Sequence, residues 1–235
     1  MILRLWATTV AALLSAGGFV SAQDFPVQIR AILHDPGKAE TPFFVGNLGE
    51  IMRPLKLVEE GLSEPQKVTI ANGSLNLFST ANVDKTNPQA ALAATAKVPQ
   101  GVSSLIVIIL PGSQPKPPFS MVVLDDSPKS FPWGESKAVN LTSLEFGLEI
   151  GDQKVVVPGG KITAVPKVTK LDEYNRAQTN FYYKQGEEWV VASERQLQYL
   201  PTLRRVFLIY KMPDGLAPDV RTILDQPPPV FDKPR

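Results

Sequence analysis

Leu144-Glu145-Phe146-Gly147-Leu148-Glu149-Ile150-Gly151-Asp152-Gln153-Lys154-Val155-Val156-Val157 decides the fold. Leu144, Phe146, Leu148 and Ile150 alternate with Glu145, Gly147 and Glu149, the two-residue period of a strand with one buried and one wet face. Gly151-Asp152 supplies turn chemistry, and Val155 to Val157 resumes in β-branched residues, so the stretch reads as a hairpin.

The same grammar extends in both directions. Pro158-Gly159-Gly160 punctuates before Ile162 to Val165, and Phe181 to Tyr183 passes through Gln185-Gly186 into Trp189 to Ala192. Upstream, Val68 to Phe78 flanks Asn72-Gly73, the dipeptide suited to a two-residue turn with both central residues at positive φ, which predicts a second hairpin. Leu105 to Leu110 is an unbroken apolar run bounded by Ser104 and Pro111-Gly112, and its length predicts a strand covered on both faces at the centre of a core. Asn87-Pro88 opens an alanine-rich run to Ala96 that fits a capped short helix or, since Leu92, Ala94 and Ala96 alternate, a strand. Recurrent short strands predict an all-β chain of antiparallel β-sandwich type, with two packed Ig-like or sandwich-type domains.

Residues 1–22 read as a secretory signal peptide: Arg4 is the positive n-region, Leu5 to Val20 the apolar stretch, and Val20-Ser21-Ala22 a small-residue cleavage site. An uncleaved anchor is the alternative, but alanine, serine, threonine and glycine dilute the stretch. The mature chain is therefore expected to be exported, periplasmic or extracellular, with no membrane span. The expected organisation is an N-terminal β domain over 23–128, a C-terminal β domain over 129–225 and a disordered Pro-rich tail over 226–235. The stretches 111–118 and 125–132 are both candidate linkers, and one large sandwich is the alternative.

The chain carries 24 Lys plus Arg against 23 Asp plus Glu, and loss of Arg4 with the leader leaves the charges balanced. Balanced, dispersed charge has no footprint for a phosphate backbone, so nucleic acid is not an expected partner. Arg204-Arg205 and Glu187-Glu188 read as solvated charges. There is no cysteine, which rules out thiol catalysis, thiolate zinc sites and iron–sulfur clusters.

Phe131-Pro132-Trp133-Gly134-Glu135-Ser136-Lys137-Ala138-Val139-Asn140-Leu141-Thr142 resembles an F-P-x-G-x-x-x-x-x-N-L-T pattern of secreted bacterial β-sandwich proteins of unassigned function. The resemblance implies that the motif opens a second β domain, and it carries no activity. From the residues themselves, Pro132 and Gly134 permit a tight turn, Val139 and Leu141 face a core, and Asn140 bonds neighbouring backbone. Trp133 either caps a core or stacks on a ligand.

Catalytic constellations are sparse. His34 is the single histidine; beside Asp35-Pro36-Gly37 it reads as a loop residue, and no G-x-S-x-G elbow accompanies it. Asp125-Asp126-Ser127 is the densest oxygen cluster and reads as a solvated strand end rather than a calcium loop. Glu145 and Glu149 on one strand would stand about 13 Å apart, beyond glycosidase separations. No phosphate loop or dinucleotide fingerprint occurs, and no metal or other cofactor is called for. The candidate binding residues are aromatic: Trp133, Tyr182 and Trp189, with Tyr182 pointing opposite to its neighbours Phe181 and Tyr183. The expected function is a non-catalytic envelope or extracellular binding or assembly module whose partner is an envelope protein or a polysaccharide. The alternative is a secreted carbohydrate-active hydrolase whose carboxylates converge only in the fold.

Overall fold

The computed structural model describes residues 24–35, 42–48, 51–112, 117–211 and 217–227. The leader and all but the first two residues of the tail lie outside them. The described chain is a sandwich-type all-β structure of four four-stranded sheets. The first eight strands are β1 (Phe25–Leu33), β2 (Phe44–Val45), β3 (Arg53–Pro54), β4 (Gln66–Ile70), β5 (Ser74–Phe78), β6 (Leu92–Lys97), β7 (Ser104–Pro111) and β8 (Phe119–Asp125). The second eight are β9 (Ser136–Asn140), β10 (Phe146–Ile150), β11 (Gln153–Val157), β12 (Ile162–Val165), β13 (Arg176–Gln185), β14 (Glu188–Gln198), β15 (Arg204–Lys211) and β16 (Pro218–Asp225). No helix among the described residues is long and apolar enough to cross a membrane.

Sheet orders are β4-β1-β7-β8 and β3-β2-β5-β6 in the first half, and β12-β9-β15-β16 and β11-β10-β13-β14 in the second. Adding eight to each strand number of the first half gives the second, so one eight-stranded unit occurs twice. Each unit carries one parallel pair, β1 with β7 and β9 with β15, in otherwise antiparallel sheets. A local turn cannot make a parallel pair, and here β2 to β6 and β10 to β14 form the connections between the paired strands.

Three apolar cores alternate with the four sheets. The first half closes on Ile29, Ile70, Leu77, Val107 and Phe43. The second closes on Phe146, Leu148, Ile150, Phe181 and Phe207. Between the halves, Ile32, Ile106, Ile108 and Leu124 meet Phe131, Val139, Val206 and Leu208. The run Leu105 to Leu110 is buried throughout because odd residues enter the first core and even residues the core between the halves.

Several local expectations meet corrections. Asn72 and Gly73 do adopt φ of 51° and 67°, and Ser74 N–H donates to the Ala71 carbonyl. The strands then part, however: β4 pairs with β1, and β5 with β6 and β2, so the turn crosses between sheets instead of closing a hairpin. Pro88–Ala91 is a single 3-10 turn without a side-chain cap at Asn87, and the strand reading prevails from Leu92. The stretch 111–118 joins β7 to its direct neighbour β8, so it is no linker. The chain passes from one pair of sheets to the other between Asp125 and Ser136.

Candidate functional site

Charge reaches the buried seam between the halves where it looked solvated. Asp126 and Asp225 follow two residues after Leu124 and Ile223, both of which enter the middle core, so they occupy matching positions in the repeated unit. Arg30 donates to both carboxylates, from Nε to Asp126 at 3.0 Å and from Nη1 to Asp225 at 2.6 Å. Arg204 also bridges both, meeting Asp126 at 2.7 Å and Asp225 closely, and donates to the Phe131 carbonyl. Arg204 is 3% exposed, so it is not a solvated edge charge. Arg205 is buried as well, over the Tyr199 ring and bonded to the Gln198 carbonyl. Asp126 is likewise no solvated strand end.

The two carboxylates of this quartet are held by the same pair of guanidiniums, each bonded to both Arg30 and Arg204. The cluster is chemically a clamp between halves. Trp133 belongs to it: its ring stacks on the Arg204 guanidinium at 4.2 Å and remains 40% exposed. Phe131 is buried under the same cation.

Downstream, Asn140 Nδ2 donates to the Leu144 and Val157 carbonyls, and its Oδ1 accepts from the Thr142 N–H and hydroxyl. Val139 enters the core between the halves as expected, whereas Leu141 lies at the surface, where it lines a groove.

That groove, about 1460 Å³, opens at the other end of the seam. His34 lies there in the bend that follows β1, in line with its loop reading, half-buried and edge-on to Tyr210 at 4.3 Å, with its Nδ1 buried and unbonded. Burial and then the neighbouring Arg221 cation push its pKa below the ordinary value. Arg221 itself donates to the carbonyls of Leu33 and His34, tying the second half to the end of β1.

Tyr182 and Trp189 stand elsewhere, together, on the outer face of β11-β10-β13-β14. Phe181 is fully buried and Tyr183 packs against the same core, so the strand period turns Tyr182 outward. Register places Val156, Gly147, Tyr182 and Val191 in one row across the four strands. Trp189 reaches from β14 over β13 to Gly147: a Cβ built there would meet Cζ3 of the indole at 3.3 Å and its two neighbouring ring atoms at 3.6 Å. The missing side chain of Gly147 is the seat of this ring. Trp189 remains 45% exposed, beside the exposed Val156 and Val191.

The row is braced by charge. Tyr182 hydroxyl donates to Glu149 Oε2 at 2.9 Å, and Lys154 Nζ meets Glu149 Oε1 at 2.6 Å. These contacts, Lys154 first, hold the Glu149 carboxyl below its usual range, while the bond to Glu149 raises the Tyr182 phenol. Farther along, Gln178 pairs with Gln196 and Asn180 with Glu194 on the same face, and Gln178 Nε2 donates to Asn180 at 2.8 Å.

The β14 edge of this sheet is guarded. β14 carries a bulge, since Ser193 opposes Phe181 while Val191 opposes Tyr182, which leaves Ala192 extra. Arg195 turns inward over the Phe181 ring and donates to the Val220 carbonyl on β16. A bulge and an inward cation are devices that discourage strand addition.

Of the three expected binding residues, the structure thus joins Tyr182 and Trp189 and leaves Trp133 at the seam. Gly147, Val156 and Val191 complete the face without having been singled out. The signal for Gly147 was its outward place in the alternation of β10. No protein-family model matches the chain, and a search of curated proteins finds no similar sequence.

Proposed function

We propose that this chain is a non-catalytic binding module, exported to the cell envelope or beyond, that engages its partner with the outer face of β11-β10-β13-β14. The observation that carries the reading is Trp189 seated on Gly147. A large ring seated in a fitted gap on a strand, nearly half in water and continuous with exposed Val156 and Val191, forms the kind of rimmed apolar patch that partners cover.

The first half supports the same reading by contrast. Its equivalent outer sheet bears Ser74, Asn76, Thr95 and Lys97 on β5 and β6, joined by hydrogen bonds Thr95 to Asn76 and Lys97 to Ser74. Among the described strand residues of β2, β3, β5 and β6, no large apolar side chain is exposed. The fold is satisfied by a polar outer sheet, so the aromatic one answers to another requirement.

The partner is a polymer of the envelope, protein or polysaccharide. The guard on β14 disfavours strand addition at that edge, next to which Trp189 stands, and leaves the sheet face for contact there. The test is a pulldown from native envelope by the wild-type chain and by Trp189→Ala, analysed by mass spectrometry and by glycan composition. A partner captured by the wild type and lost with Trp189→Ala supports the reading. Equal capture by both, or none, overturns it.

A further inference from the structure

Resting on that reading, we infer that the face built by Trp189, Tyr182 and Gly147 takes an uncharged polysaccharide, one sugar ring stacking on the Trp189 indole while the neighbouring amides bond its hydroxyls. Three features of the face select this chemistry.

The first is size. The exposed apolar surface consists of Trp189, Val156 and Val191, each about half exposed, a patch on the order of a few hundred Å². That suffices for a sugar ring or two and falls well short of the ~800 Å² per partner of a stable protein interface.

The second is charge. The Lys154 ammonium is bonded to Glu149 at 2.6 Å, and Lys184 lies 4.0 Å from Glu187. Arg176, outward on β13 as well, is paired with Asp172 at 3.0 Å, so each of these three cations has a carboxylate beside it, and Glu194 adds a further negative group. Such a face offers an acidic polymer no attraction and costs an uncharged one nothing.

The third is hydrogen-bonding capacity. Gln178, Asn180 and Gln196 stand in two successive cross-strand pairs beside the apolar row. Amides both donate and accept, which matches hydroxyl groups that do the same. Tyr182 is fixed through Glu149 in the cross-strand row of Gly147, where the indole sits, before any ligand arrives.

The experiment titrates the mature full-length chain with three defined probes, a cello-oligosaccharide, a manno-oligosaccharide and an oligouronate, by calorimetry and tryptophan fluorescence. At least one uncharged probe should bind and quench the indole, and the oligouronate should not. Trp189→Ala should weaken that binding at least about tenfold, and Gly147→Val, which fills the seat while retaining a strand former, should weaken it comparably. Trp133→Phe should leave it unchanged. Binding of the oligouronate as tight as that of the uncharged probes would overturn the inference, as would uncharged binding indifferent to Trp189→Ala. If neither uncharged probe binds while an envelope protein is captured in a Trp189-dependent way, the ligand class is wrong and the binding face stands. If nothing is captured at all, both fall.

Discussion

Gly147 on β10 and Trp189 on β14 fit each other across an intervening strand, the glycine leaving the space that the indole occupies at 3.3 Å from where a Cβ would stand. Glycine inside a strand forfeits packing and chain entropy. Gly147→Val should therefore leave stability unchanged or raise it by up to about 1 kcal/mol, while lifting the ring off the sheet. Thermal unfolding and the near-ultraviolet tryptophan signal measure the two effects separately. A large loss of stability would show that the ring's seat supports the fold itself.

Asp225→Asn should destabilise the chain by about 3–5 kcal/mol, because Arg30 and Arg204 would lose half of their shared countercharge while remaining in the seam. Urea unfolding is the appropriate measure. A loss under 1 kcal/mol would mean that the halves hold together on the middle core alone.

Asn140→Ala should cost about 2–4 kcal/mol, since Asn140 is buried and satisfies two carbonyls and one N–H of the backbone from Leu144, Val157 and Thr142. Asn140→Asp should cost a comparable amount, because a carboxylate cannot donate to those carbonyls. If Asp proved as good as Asn in a denaturant titration, the donor role would be refuted.

His34 has a folded pKa below its ordinary value of 6.5. Protonation therefore favours the unfolded chain: the contribution to stability is intact above that value and is lost as pH falls below it. The drop in melting temperature between about pH 8 and about pH 5 should be smaller for His34→Gln than for the wild type. Equal drops would place the acid sensitivity elsewhere.

Arg195→Val should make the chain self-associate, since it removes the inward cation from the free edge of β14 and leaves a longer apolar strand. Light scattering during mild heating would register the change. A variant as monodisperse as the wild type would leave the Ala192 bulge as the sufficient guard.

The legible parts of this molecule are local. Hairpins β10–β11 and β13–β14 follow from alternation and from two-residue turns, and the outward placement of Tyr182 follows from the same period. The parallel pairs β1–β7 and β9–β15 were not legible, because partners so far apart in sequence leave no local trace. The repeat shows in strand order and in the matched Asp126 and Asp225, and it was not legible because it becomes visible only once the strands are placed. Arg204 and Asp126 read as surface charges because composition cannot reveal partners 78 residues apart. Trp133 was visible as an aromatic at a turn, and the guanidinium beneath it was not.

β7 and β15 each contribute to two cores, one on either side of the strand. The molecule thus resists dissection. Expressed alone, the first half would carry Ile32, Ile106, Ile108 and Leu124 into water, and the second half Val206 and Leu208. A truncation series would then report precipitation instead of function. The smallest unit that keeps all three cores covered, and so the one with which to screen ligands, is the pair of halves in one chain.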